Sequence, residues 1–81
     1  MSQLIDPDSK AAMRARLARI EGQLRGVQRL LDDEAECEKI VQQLAASRKA
    51  LDKAFFTMVG CMIAQGDLPG DHVADMLARY G

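Results

Sequence analysis

The sequence predicts an all-α protein, and three observations carry that expectation. Apolar residues recur at alternating steps of four and three over two long stretches. No stretch shows the period-two alternation that a half-buried strand requires. A helix-start signature, "IDPDSK", precedes the first stretch, and a glycine- and proline-rich break, "QGDLPGD", follows the second. The expected architecture is two long antiparallel helices followed by a short C-terminal helix.

In "IDPDSK", Asp6 suits the N-cap and Pro7 the first helical position, where its missing N–H is harmless. The helix that follows should run to about Leu31. Its seam passes through Met13, Leu17, Ile20, Leu24, Val27 and Leu31. Gly22 and Gly26 lie inside it, each costing about 1 kcal/mol against Ala. Their spacing of four puts both on one face, open to close approach by a neighbour's backbone. The second helix should start near Ala35 and reach about Gln65, about 45 Å in length. Its seam passes through Cys37, Ile40, Leu44, Leu51, Phe55, Met58 and Met62, with Val41, Ala45, Ala54 and Val59 widening the stripe. The break then leads into a third helix, about Asp71 to Arg79, with Val73, Met76, Leu77 and Tyr80 on one side.

At 81 residues the chain is expected to be a single domain, 1–81, with a modest core. It has no Trp, one Tyr and two Phe, so aromatic bulk cannot enlarge that core. The two wide stripes exceed what one hairpin covers. Pairing hairpins into a four-helix bundle covers them, so a homo-oligomer is expected. Two cysteines are too few for a secreted disulfide scaffold, and no signal-peptide pattern opens the chain. No apolar run approaches the roughly 20 residues of a membrane span. The expectation is a soluble cytoplasmic protein with reduced thiols and no membrane partner.

The net charge of −1 conceals an asymmetry. Residues 1–31 carry Lys10, Arg14, Arg16, Arg19, Arg25 and Arg29 against Asp6, Asp8 and Glu21, whereas residues 32–38 carry five acids and no base. Arg48, Lys49 and Lys53 interrupt the apolar pattern of the second helix. Such blocks are often solvated helix faces, but a positive surface also suits a phosphate backbone. Enzyme chemistry is not expected. There is no Ser-His-Asp set, no phosphate-binding glycine loop and no His/Cys cluster of zinc-finger spacing, and the two cysteines do not form C-x-x-C. The lone histidine, His72, reads as a polar residue near the start of the third helix. No helix-turn-helix is visible, because no short helix and tight turn stand where a recognition helix would need them.

Two blocks, "RLARIEGQLRGVQRLL" (16–31) and "CEKIVQQLAASRKALDKA" (37–54), carry a more specific signal. Together they resemble the CsoR/RcnR family of bacterial transcriptional repressors, in register over roughly residues 10–66. The resemblance implies a helical hairpin that dimerises into an antiparallel four-helix bundle, with two dimers forming a flat tetramer. It implies binding to double-stranded operator DNA through basic residues on the tetramer face. By position, Arg16 and Arg48 match family arginines tied to DNA binding; Arg14, Arg19, Arg25 and Lys49 join them on charge alone.

The effector site departs from the family pattern. In the family's copper sensors, a cysteine at the start of the second helix pairs with the histidine and cysteine of an H-x-x-x-C motif late in the second helix of another subunit. Cys37 matches the first ligand, but Met62 stands at the histidine position and Gly66 at the second cysteine position. An extra thiol, Cys61, precedes the histidine position. The nickel and cobalt sensors use an N-terminal histidine region that this chain lacks. The formaldehyde sensors have proline after the initiator Met, and here that residue is Ser2. Cys37 and Cys61 stand about 36 Å apart along one helix and can meet only between subunits. Three readings follow. Cys37 senses oxidants, reactive sulfur or electrophiles, forming an adduct or a bond to a partner's Cys61. Or it ligates Cu(I) with Met62 or Cys61, thiolate and thioether being soft donors. Or it is inert packing. A different class, a helical module that docks on protein with no effector, also stays open.

Overall fold

A computed structural model of the chain describes residues 3–66 and 69–81. Ser2, compared above with the formaldehyde sensors' proline, and Asp67 and Leu68 of the break lie outside the described residues. Among the described residues there are three helices and no strand: α1 (Pro7–Asp32), α2 (Cys37–Gln65) and α3 (Gly70–Tyr80).

α1 starts as the sequence predicts. The Asp6 carboxylate accepts from the Ser9 N–H at 3.0 Å and from the Ser9 hydroxyl at 2.8 Å, and Pro7 opens the helix. The helix stops in a complete Schellman arrangement. Ala35 N–H donates to Leu30 O at 2.9 Å and Glu34 N–H to Leu31 O at 3.2 Å, while Glu34 sits in the left-handed region at φ 55°. That arrangement uses Ala35 to close α1. α2 therefore begins at Cys37, two residues later than expected, after an extended Glu36 that provides no side-chain cap. α2 ends at Gly66, left-handed at φ 81°, whose N–H bonds Ile63 O at 3.0 Å.

The two long helices pack against each other, but not along the whole of the predicted seams. α1 buries Ile20 and Val27; α2 buries Ser47, Ala54 and, on the groove side, Val59, with Ala50, Thr57 and Cys61 half-buried at heptad spacing from Ser47 and Ala54. The line that α2 turns toward α1 is thus made of small residues, which lets the helices approach closely. The buried Ser47 hydroxyl is satisfied by the Gln43 carbonyl at 3.0 Å. The leucines of the expected seams, Leu17, Leu24, Leu31, Leu44 and Leu51, stay between 38% and 58% exposed. They form a second apolar face beside the buried line. The reason is stripe width: each stripe has room for two neighbours, and one chain supplies one.

On that second face the three helices frame an apolar groove of about 720 Å³. Met13 and Leu17 line it from α1, Leu51, Phe55, Met58 and Met62 from α2, and Met76 and Tyr80 from α3. Phe55 and Phe56 pack edge to face at 5.1 Å. At the same end, the Gln65 side chain holds the N-terminal segment. Its amide donates to Gln3 O at 2.7 Å and its carbonyl accepts from Ile5 N–H at 3.0 Å.

The chain is elongated, 48 × 27 × 16 Å, with a radius of gyration of 16.0 Å. A globular chain of this length has about 12 Å. The solvent-accessible surface is 6267 Å² for 8.9 kDa, against about 4,800 Å² for a folded monomer of that mass. Nothing within 4 Å would meet a Cβ at Gly22 or Gly26, so no close approach to them occurs within one chain.

Candidate functional site

Cys37 is the first residue of α2, and its thiol is free and exposed. The chain closes α1 and turns through the acidic residues before it, so the thiol stands at the turn end of the hairpin. Cys61 and Met62 lie in the last two turns of the same unbroken helix, so neither can reach Cys37 within one chain. Among the described residues, no group of three or more His, Cys, Asp and Glu side chains could hold a metal ion. Any pairing of Cys37 with Cys61 or Met62 therefore needs a second copy.

The structure separates the two sulfurs at the far end of α2. Met62 lines the apolar groove with Leu51, Phe55 and Met58. Cys61 is half-buried and falls two heptads after Ser47 and one after Ala54, on the line turned toward α1. At about 100° per residue, Met62 and Cys37 lie about 80° and about 100° from Ala54 on the same flank. A count of 3.5 residues per turn leaves both on that flank, with Cys61 on the Ala54 line itself. Cys37 and Met62 thus share the face that carries the exposed leucines, and Cys61 does not. Gly66, at the family's second cysteine position, is the left-handed cap of α2, where any side chain would be strained.

The basic residues divide in the same way. Leu17 lies about 60° from Ile20 on the groove flank of α1, whereas Arg16 and Arg19 lie about 40° and about 100° from it on the other. On α2, Lys53 and Lys49 fall about 100° and about 140° from Ala54, on the flank away from the groove. The groove lining fixes which flanks belong together, so Arg16, Arg19, Lys49 and Lys53 share the opposite face of the hairpin. Arg16 is half-buried and the other three are exposed. Arg14, Arg25 and Arg48 are also exposed but lie about 120–140° round on the groove side. Among the described residues the one ion pair is Arg79 with Asp75, at 3.2 Å, so none of these seven bases is neutralised by a described acid. Lys53, which the family pattern and the charge blocks did not single out, joins Arg16, Arg19 and Lys49 on this face. The signal was its angle from Ala54, readable only once the buried line of α2 is known. His72 is exposed in the first turn of α3, where its backbone N–H meets the Asp71 carboxylate at 3.1 Å.

The hairpin thus has one apolar face bearing Cys37 and Met62 and one positive face bearing Arg16, Arg19, Lys49 and Lys53. Among the described residues, no helix is long and apolar enough to cross a membrane. Residues 9–66, which hold both faces, match a protein-family model described as metal-sensitive transcriptional repressor. No solved structure matches the chain.

Proposed function

The chain belongs to the family of metal-sensitive transcriptional repressors, of the CsoR/RcnR type, and on that premise we propose that it is a cytoplasmic repressor released from operator DNA by a soft metal ion, Cu(I), at a site shared by two copies. Residues 1–81 act as one DNA-binding domain. Cys37 of one copy and Met62 of another supply the donors. The observation that carries this reading is that Cys37 and Met62 lie on one face of α2, the apolar face that a single chain leaves open.

The assembly is an antiparallel four-helix bundle of two hairpins, paired again into a tetramer. Support comes from the surface: the chain exposes about 1,450 Å² more than a monomer of its mass should. Obligate interfaces bury areas of that order on each partner. Val41 and Ile63 add further exposed apolar surface away from the leucines, as a second interface requires. In an antiparallel pairing of α2 helices, the start of one lies beside the end of the other, which brings Cys37 to Met62.

The donor set fits a soft ion. A thiolate and a thioether suit Cu(I), whereas an imidazole-dependent Ni(II) or Zn(II) site lacks its ligand. Bound there, the ion supplies a link between two sulfurs. The protein does the rest. Joining the ends of two α2 helices favours the arrangement of hairpins in which those sulfurs meet. DNA is released where that arrangement moves the Arg16 faces out of step with the phosphate backbone.

A second reading replaces the metal by thiol chemistry, with Cys37 bridging to a partner's Cys61. The exposure of Cys37 favours it; the position of Cys61 on the α1-facing line disfavours it. Mass spectrometry of anaerobically purified protein exposed to Cu(I), polysulfide, peroxide and formaldehyde separates the two. Retention of Cu(I) without covalent change supports the metal reading, and a covalent adduct at Cys37 with no Cu(I) retained defeats it. A protein-docking module with no DNA target would show affinity insensitive to salt, the opposite of a phosphate binder.

A further inference from the structure

Two hydrogen bonds that span the chain meet at the side chain of Gln65. Its amide donates to the Gln3 carbonyl, and its own carbonyl accepts from the Ile5 N–H. These backbone groups flank Leu4, so one side-chain amide pairs with the segment as the backbone of a neighbouring strand would. Donor and acceptor are used together, a combination that Glu, Lys and Leu each lack. Gln65 and Leu4 are half-buried. Gln65 lies about 20° from Ala54, on the line that α2 turns toward α1 and away from the flank of the exposed leucines. A second copy that covers those leucines therefore leaves this clasp its place. Gln65 is also the last residue of α2, one turn after Met62, and Gly66 ends the helix behind it. On the other side, Ile5 runs straight into the Asp6 cap and Pro7, the start of the helix that carries Arg16 and Arg19.

We propose that Gln65 is the positioning residue that couples the effector end of α2 to the DNA-binding face of α1: its clasp on residues 3–5 is closed when the protein holds DNA and opens when Met62 is drawn to a second copy's Cys37. This coupling rests on the Cys37–Met62 reading and adds the route by which that site reaches the arginines. Met62 and Gln65 are about 60° apart on one turn, so a pull along the Met62 flank rolls Gln65 off the α1-facing line. Two exposed hydrogen bonds are weak enough for that pull to break them. Closed, the clasp fixes the first turn of α1 against the last turn of α2, and a fixed face meets a regular phosphate backbone with the least ordering cost. Open, it lets α1 change its angle to α2, which carries Arg16 and Arg19 with it. The clasp is thus an element with two arrangements that both sites bias, as coupling between sites requires.

The test compares four full-length proteins: wild type, Gln65→Leu, Ile5→Pro and Ile5→Ala. Both Ile5 variants lose an exposed side chain, but only Ile5→Pro also loses the N–H that Gln65 accepts. Operator affinity measured anaerobically with and without Cu(I) gives the factor by which the metal weakens DNA binding, and competition with a chelator gives the Cu(I) affinity. Gln65→Leu and Ile5→Pro should hold Cu(I) like wild type and shrink that factor by at least about tenfold. Ile5→Ala should keep it. A wild-type factor in both Gln65→Leu and Ile5→Pro would overturn the proposal. A second readout needs no metal: operator DNA should slow hydrogen exchange at the Ile5 amide by at least about tenfold in wild type and not in Gln65→Leu. If Cu(I) does not release the wild type from DNA, the Cu(I) reading falls, and this exchange difference decides for the clasp by itself. Its presence supports the link between Gln65 and DNA binding, and its absence overturns that link.

Discussion

Cys61 and Met62 are neighbours in sequence and serve different faces of the hairpin. Met62 lines the apolar groove, and Cys61 follows Ser47 and Ala54 on the line that α2 turns toward α1. A partner that covers the exposed leucines therefore meets the thioether and not the thiol. The proposed pairing of Cys37 with Met62 rests on this difference, because Cys37 lies on the Met62 flank.

Met62→Leu should leave DNA binding intact and abolish release by Cu(I), since the swap keeps volume and removes the donor. Cys37→Ser should do the same. Cys61→Ser should respond like wild type. Anisotropy of a labelled operator duplex, with and without Cu(I) under anaerobic conditions, reads all three. A Cys61→Ser protein that no longer responds, beside a Met62→Leu protein that does, would shift the assignment to the two-thiol bridge.

Much of the fold was legible in the residues. Asp6, Pro7 and the heptad steps of α1 gave its start and length because local rules govern both. The start of α2 was misplaced by two residues because Ala35, which propensity favours in a helix, is used to close α1 through its N–H on Leu30. The faces were harder to read. Which part of a wide apolar stripe meets the sister helix depends on the fit of Ser47 and Ala54 against Ile20 and Val27, and periodicity alone does not contain that. For the same reason the basic set looked continuous in sequence, whereas Arg14, Arg25 and Arg48 stand across the hairpin from Arg16. The family pattern drew attention to Cys37 and to position 62, where Met62 stands in place of the family's histidine; the separation of Met62 from Cys61 came from the structure.

Glu34 holds a left-handed backbone conformation that an L side chain adopts at a cost of about 1–2 kcal/mol. Glu34→Gly should therefore stabilise the protein by about 1 kcal/mol, read from the midpoint of urea unfolding. Glu34→Ala removes the same charge from the acidic run but leaves the strain, so it should gain much less. Equal gains from both would assign the effect to charge.

The Asp6 carboxyl is held below its ordinary value of 3.8 by the Ser9 hydroxyl first and the Ser9 N–H second. A carboxyl lowered in the folded state favours folding fully above the unfolded value. That contribution fades as pH falls through the folded one. Asp6→Asn keeps a capping side chain without a titrating group. The stability difference between wild type and Asp6→Asn should be flat near neutral pH and should shrink below about pH 4. Thermal midpoints measured across that range check it, and a difference that grows on acidification would contradict the assignment.

Leu44 is 48% exposed on the face that carries Leu24 and Leu51, so a charge there is tolerable in an isolated hairpin and costly in a covered one. Leu44→Glu should lower the sedimenting mass or, where the hairpin depends on its partner, reduce helix content. Wild type should sediment well above 8.9 kDa at micromolar concentration. A folded wild-type monomer would remove the assembly from which the shared site is built.

The positive face supplies the sharpest test of DNA binding. Arg16, Arg19, Lys49 and Lys53 stand on one side of the hairpin, and no described acid neutralises them. Each that meets a phosphate should contribute about one unit to the slope of log affinity against log salt. Arg16→Ala and Lys53→Ala should each weaken operator binding and flatten that slope by about 1. Arg25→Ala removes the same charge from the groove side, so it should weaken binding less and leave the slope nearly unchanged. Arg48→Ala distinguishes position in the family pattern from position on the hairpin: its sequence position matches a family arginine, but its angle puts it with Arg25. The shared-face arrangement expects Arg48→Ala to behave like Arg25→Ala, and a loss equal to that of Arg16→Ala would show that the DNA-facing surface wraps around α2 in the assembly.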